Sequence, residues 1–118
     1  MARTYHAKGS GYFPSRSARE GGFKDRLGKK LNTLEDYIAK RADYVSVAMD
    51  GKLNIQYGTV VKIPEIEAVR KRAIEFRVVD TGGDFTGQGY TKIDICVANR
   101  QASLDPTING TLTLIFDP

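Results

Sequence analysis

The chain has 118 residues, with 18 Lys/Arg against 14 Asp/Glu, a net charge of +4 and 41% apolar residues. That length supports one domain with a single modest core. No run approaches the ~20 apolar residues of a membrane-spanning helix, no charged start followed by an apolar stretch marks a secretory signal, and a lone cysteine, Cys96, excludes an internal disulfide and a cysteine-based zinc site.

The positive charge is local. Residues 1–30 carry eight Lys/Arg and two acids, a net +6, whereas the remaining 88 residues carry ten and twelve, a net −2. Residues 1–22 hold four of the twelve glycines, three serines and a proline, with no helical or strand periodicity. Such a segment buries too little apolar surface to offset its ordering entropy. It is therefore expected to be a flexible basic arm, disordered alone or ordered against a partner.

From Phe23 an apolar stripe appears. Phe23, Leu27, Leu31, Leu34 and Ile38 are spaced 4, 4, 3 and 4, one face of a helix over about 23–42. Gly28 and Asn32-Thr33 weaken its middle, and Thr33 with Asp36 forms a variant capping box. The alternative is a loose first turn followed by a firm helix at about 33–42.

After Asp43 the period changes to two. Val45, Val47 and Met49 alternate, and Asp50-Gly51 reads as a hairpin turn into a strand over 52–63 that Pro64 ends. Residues 65–72 are ambiguous between a short helix and an extension of the next strand. Ile74, Phe76 and Val78 share one face of a strand over 73–79, with Glu75 and Arg77 on the other. A glycine-rich stretch at 80–89 reads as a mobile tip with Phe85 at its centre, and strands follow at 90–98 and 111–116. In the last, Leu112, Leu114 and Phe116 face one way and Ile115 the other, so both faces are expected to be covered. An uncovered apolar edge there would invite pairing between subunits. The expected fold is α+β: an arm (1–22), one helix (23–42) and a five-segment antiparallel sheet or open barrel (43–118).

The arm interleaves cations with aromatic rings, as a flexible element on unpaired nucleic acid needs: cations neutralise phosphates, and rings stack bases. The candidate contacts are Arg3, Tyr5, Lys8, Tyr12, Phe13, Arg16, Arg19, Lys24, Arg26, Lys29 and Lys30, with His6 beside them. Arg70-Lys71-Arg72 reads as a solvated face compensated by Glu65 and Glu67. Tyr44, Tyr57 and Tyr90 read as strand packing, with stacking platforms as the alternative. The glycine-rich stretch leads into a strand, so it is not a phosphate-binding P-loop.

No catalytic constellation stands out. His6 is the only histidine and lies in the arm, and Asp80, Asp84 and Asp94 show no metal-binding spacing. No cofactor or metal is expected. Cys96 lies in a mostly apolar run and reads as a buried, inert thiol.

A basic arm on an acidic, β-rich body resembles, in organisation, the coat proteins of small viruses and phages; a phage-type single-strand-binding protein fits the same features. The expected function is non-enzymatic binding of single-stranded DNA or RNA by a self-associating protein, a homo-oligomer, located in the cytoplasm or a virion and not on a membrane. Two alternatives stay open. One is a small ribonuclease or toxin using Glu75, Arg77 and Tyr90. The other is an assembly factor whose arm contacts protein.

Overall fold

The alternating segments at 45–49, 76–81, 92–96 and 111–116 form strands, as their period of two dictates. In the computed structural model, which describes residues 2–16, 22–82 and 86–117, the elements in chain order are β1 (Arg3–Tyr12), α1 (Leu34–Ile38), β2 (Val45–Met49), β3 (Thr59–Val61), α2 (Pro64–Arg70), β4 (Phe76–Thr81), β5 (Lys92–Cys96) and β6 (Thr111–Phe116). The architecture is α+β and rich in sheet. The sheet has six strands rather than five, in the order β3-β4-β2-β5-β1-β6.

It is also mixed rather than antiparallel. β2 with β4 and β1 with β5 are parallel pairs; the other neighbours are antiparallel. Exchanging β1 with β4, β2 with β5 and β3 with β6 reproduces the same order read backwards, with every pair keeping its sense. The sheet curls into a half-barrel. Its edge strands touch at Lys62 and Ile115, whose backbones exchange bonds of 2.9 and 3.0 Å. Inside lie Val45, Val47, Met49, Phe76, Val78, Ile93, Ile95, Leu112, Leu114 and Phe116.

The first strand is the largest departure from the sequence reading. Residues Arg3–Tyr12 are paired on both sides, with β5 over Lys8–Tyr12 and with β6 over Arg3–Lys8. Small residues make this possible. A Cβ on Gly9 would lie against the Ile108 carbonyl oxygen and 2.6 Å from Leu112 Cδ1, and one on Gly11 would lie 2.8 Å from Ser103 Cα. Over Ala7–Gly11 the strand is anchored by close backbone approach, with the rings of Tyr5 and Tyr12 packed on either side of that stretch. The rest of the expected arm includes residues 17–21, which lie outside the described residues.

The helix expected over 23–42 shortens to α1. Thr33 accepts from the Asp36 N–H (2.9 Å) and Asp36 accepts from the Thr33 N–H (3.2 Å), so the capping box sets the helix start. Upstream, Gly28 takes φ +82°, which ends any helix there. The Asp50-Gly51 turn does not join a hairpin; β2 pairs with β4 and β5 instead. Asp50 Oδ2 accepts from the Gly87 and Gly89 N–H groups, both at 2.8 Å, and Oδ1 from Lys52 N–H (3.0 Å). A local turn signal therefore serves a distant loop. Residues 83–85, including Phe85, lie outside the described residues. The strand expected over 52–63 contracts to β3, and the ambiguous 65–72 becomes α2, started by Pro64 at its first position.

β6 offers no bare edge at its centre. Glu65 of α2 accepts from the Thr113 N–H (2.8 Å) and hydroxyl (2.6 Å), and Lys62 pairs with Ile115. The edge-pairing route to an oligomer expected from the sequence is thus occupied by the chain itself.

Replacing Gly9 by Ala forces a backbone carbonyl to move, and overpacking of this kind costs about 1–3 kcal/mol. The expected outcome for Gly9→Ala is a loss of that size in denaturant-unfolding stability. Unchanged stability would show that β1 is not locked against residues 108–112.

Candidate nucleic-acid interface

The outer face of the half-barrel carries a second, smaller apolar cluster of Tyr12, Ala48, Cys96 and Leu31. Leu31 reaches it from the segment between β1 and α1, which lies across the sheet. Asn32 and Ser46 bind that segment down: the Ser46 N–H donates to the Asn32 carbonyl (2.9 Å) and the Asn32 N–H to the Ser46 hydroxyl (2.9 Å). The Cys96 thiol is fully buried here, and burial pushes its pKa up, as an inert thiol requires.

Residues 23–31 form a compact turn over this cluster. Leu31 N–H donates to Phe23 O (3.1 Å), Asp25 N–H to Lys29 O (2.7 Å), and Lys24 and Lys30 are bridge partners. The organiser is Asp25, which is buried. Its Oδ1 accepts from the Leu27 and Lys29 N–H groups, both at 3.0 Å, and its Oδ2 from the Tyr57 hydroxyl. Arg26 is held by its backbone to Val79 O (3.4 Å) and by its guanidinium to Ile55 O (2.9 Å), with the guanidinium 5.6 Å from the centre of the Tyr57 ring.

This arrangement turns every outward side chain of the turn to solvent. Lys24, Arg26, Lys29 and Lys30 are exposed, and so are Phe23 (53%) and Leu27 (62%). The one acid in the turn is buried and accepts from backbone amides, and among the described residues none of the four cations forms an ion pair.

Beside the turn, strand register sets a row across four strands in which Ser10 (β1), Asp94 (β5) and Asp80 (β4) are polar and Ala48 (β2) is apolar. Ser10 donates its hydroxyl to Asp94. Burial raises the Asp80 pKa, and the nearby Asp25 carboxylate adds to the rise. The Thr81 N–H and Arg26 oppose it without cancelling it. Tyr12 lies under the turn, and its hydroxyl has no hydrogen-bond partner among the described residues. Burial first, and then the surrounding acids Cys96, Asp80, Asp94 and Asp25, push its ionisation well above the ordinary range. These carboxylates do not converge as a metal site: among the described residues no three metal-ligating side chains cluster.

The eleven residues expected to meet nucleic acid separate into groups. Lys24, Arg26, Lys29 and Lys30 come together on the turn. Arg3 and Lys8 are exposed on β1, and Arg16 is exposed beyond it. The rings are committed elsewhere. Tyr12 is buried and Phe13 packs against the main core. Tyr5 stacks on Tyr90 at 3.8 Å, with Phe116 against the edge of both. Arg19 lies outside the described residues. Phe23, an apolar helix position in the sequence reading, is instead the exposed ring beside the cations. One signal marks this turn in the sequence: Asp25 followed by Gly28 three residues on is a turn pattern, and it competed with the helical spacing of Phe23, Leu27 and Leu31.

The residues considered for a ribonuclease are not gathered. Arg77 pairs with Glu75 and covers the Tyr44 ring at 4.6 Å, whereas Tyr90 stacks on Tyr5. Of the run 70–72, Arg70 lies 3.9 Å from Asp105, and Arg72 lies over Tyr37 at 5.4 Å. No helix among the described residues is long and apolar enough to cross a membrane.

A carboxyl whose pKa is raised by folding holds its proton more tightly in the native state. The stability it contributes is present below its unfolded pKa, about 4, and is lost as the pH rises through the folded value. Asp80→Asn removes that loss while keeping an acceptor for Thr81. The variant is expected to match the wild type at low pH and to exceed it in melting temperature as the pH rises towards neutrality. An equal or smaller advantage at neutral pH would refute burial as the cause. Comparison with known proteins assigns no family: no family model matches the chain, and no curated protein is similar to it in sequence.

Proposed function

We propose that the protein binds nucleic acid without enzymatic chemistry, and that the turn at 23–31, rather than a flexible arm, makes the principal contact. The observation that carries this reading is the turn itself. Four exposed cations and an exposed phenylalanine share one short turn pinned by a buried aspartate. Cations on a rigid frame neutralise phosphates without losing loop entropy on binding. Phe23 supplies a face for an unpaired base, a contact of about 1–3 kcal/mol that a base-paired duplex does not make. Single-stranded DNA or RNA is therefore the preferred ligand class.

Two experiments test this. The first is fluorescence anisotropy of a labelled single-stranded oligonucleotide across a salt series. For Lys24→Gln/Lys29→Gln/Lys30→Gln, the slope of log affinity against log salt should shrink by about 2, at about 0.7 per phosphate contact. Arg26 is left in place because it holds the turn together. A slope identical to wild type would remove the turn from the interface. The second is Phe23→Ala, expected to weaken single strands roughly tenfold and duplex far less. Equal losses would reject base stacking. Should wild type fail to bind oligonucleotide at low salt yet capture an acidic protein, the cations serve a protein partner instead.

A further inference from the structure

Lys8 and Lys92 are register partners on the parallel strands β1 and β5, directly opposite each other on the outer face. Lys8 is exposed and Lys92 half-buried, and neither makes an ion pair among the described residues. Like charges directly opposite each other destabilise a sheet, and the pair is not relieved by an ion pair among the described residues. The same device occurs a second time, in the turn, where Lys24 and Lys30 are bridge partners. On β1, the row containing Lys8 lies four residues from Tyr12, the residue that Leu31 of the turn covers. At about 3.3 Å per residue that is about 13 Å along the outer face. Thr111, exposed and in register with Lys8 on β6, adds a hydroxyl to the Lys8 row, and His6, exposed two residues before Lys8, sets an imidazole on the neighbouring row. Between the two lysine pairs runs the acidic Ser10–Asp94–Ala48–Asp80 row, which separates them into two cationic points.

We infer that the Lys8–Lys92 pair is a second phosphate-binding subsite, and that one nucleic-acid strand bridges it and the 23–31 turn. This inference rests on the nucleic-acid reading above and extends it by naming two residues outside the turn and the phosphodiester group that they take. Lys92 was not among the contacts expected from sequence, because nothing in its own strand marks it; only the register with Lys8 does.

The test compares wild type, Lys8→Gln/Lys92→Gln and Lys24→Gln/Lys30→Gln, each titrated with the same labelled single-stranded oligonucleotide across a salt series, with thermal melting alongside. The Lys8/Lys92 variant is expected to lower the salt slope by about 0.7, the share of one phosphate on a single strand. Its melting temperature should stay level or rise, because a like-charge contact has gone; a residue needed only for folding would lower it. Lys8→Arg/Lys92→Arg should restore the slope. A wild-type slope in the Lys8/Lys92 variant, while the turn variant loses its share, overturns this inference and leaves the turn reading intact. No binding by wild type at low salt overturns both. In the wild-type protein, the Lys8 and Lys92 side-chain NMR signals should shift on adding oligonucleotide, and unshifted signals would reject the subsite independently of any variant.

Discussion

Ten residues near the start of the chain pair with two strands in succession, antiparallel to β6 over Arg3–Lys8 and parallel to β5 over Lys8–Tyr12. β5 and β6 are not neighbours, and only β1 joins them into one sheet. Without it, β6 would lose its one neighbour in the strand order, and the half-barrel would divide. A partner for β1 is therefore a condition for the rest of the core, and it is met by contacts between segments far apart in sequence. Such non-local pairing carries a high loop-closure cost before it is rewarded. The core-facing Ala7, Gly9 and Gly11 lower the steric barrier by letting neighbouring backbone approach closely.

The acids of the body serve a second constraint. Asp25, Asp50 and Glu65 each accept backbone N–H groups, and in each case the recipient is a turn or edge that would otherwise leave its amides unpaired. Burial pushes the Glu65 carboxyl up, but the Thr113 hydroxyl and N–H outweigh it, and its pKa falls below the usual range. In Asp50 the Lys52 and Gly89 amides drive the same fall. Carboxylates held in this way keep their charge, but among the described residues none of the three forms an ion pair with a lysine or arginine.

How much was legible in the sequence depends on what carries the signal. β2, β4, β5 and β6 are legible because large apolar side chains alternate along them. The α1 start is legible because a capping box is local. β1 is not, since Gly9 and Gly11 contribute to the core by what they omit, and a pattern reading counts only what is present. The parallel pairing is invisible for a similar reason: Asp50-Gly51 is a true turn signal, but its hydrogen-bond partners lie more than thirty residues away. Of the candidate interface, the charge was legible and the geometry was not. Spacings of four placed Phe23, Leu27 and Leu31 on one helix face, whereas the buried Asp25 carboxylate turns the first two outward and only Leu31 inward.

The register of β1 with β6 has a mechanical consequence. Arg3 lies opposite Phe116, and pairing of β1 with β5 does not begin until Lys8. The first residues of β1 are thus held on one side only, at the point where the last residues of β6 meet them. Tension applied through residues 3 and 116 would load those cross-strand bonds one at a time, as in a zipper, rather than all together in shear. The domain would therefore yield to pulling through residues 3 and 116 at low force.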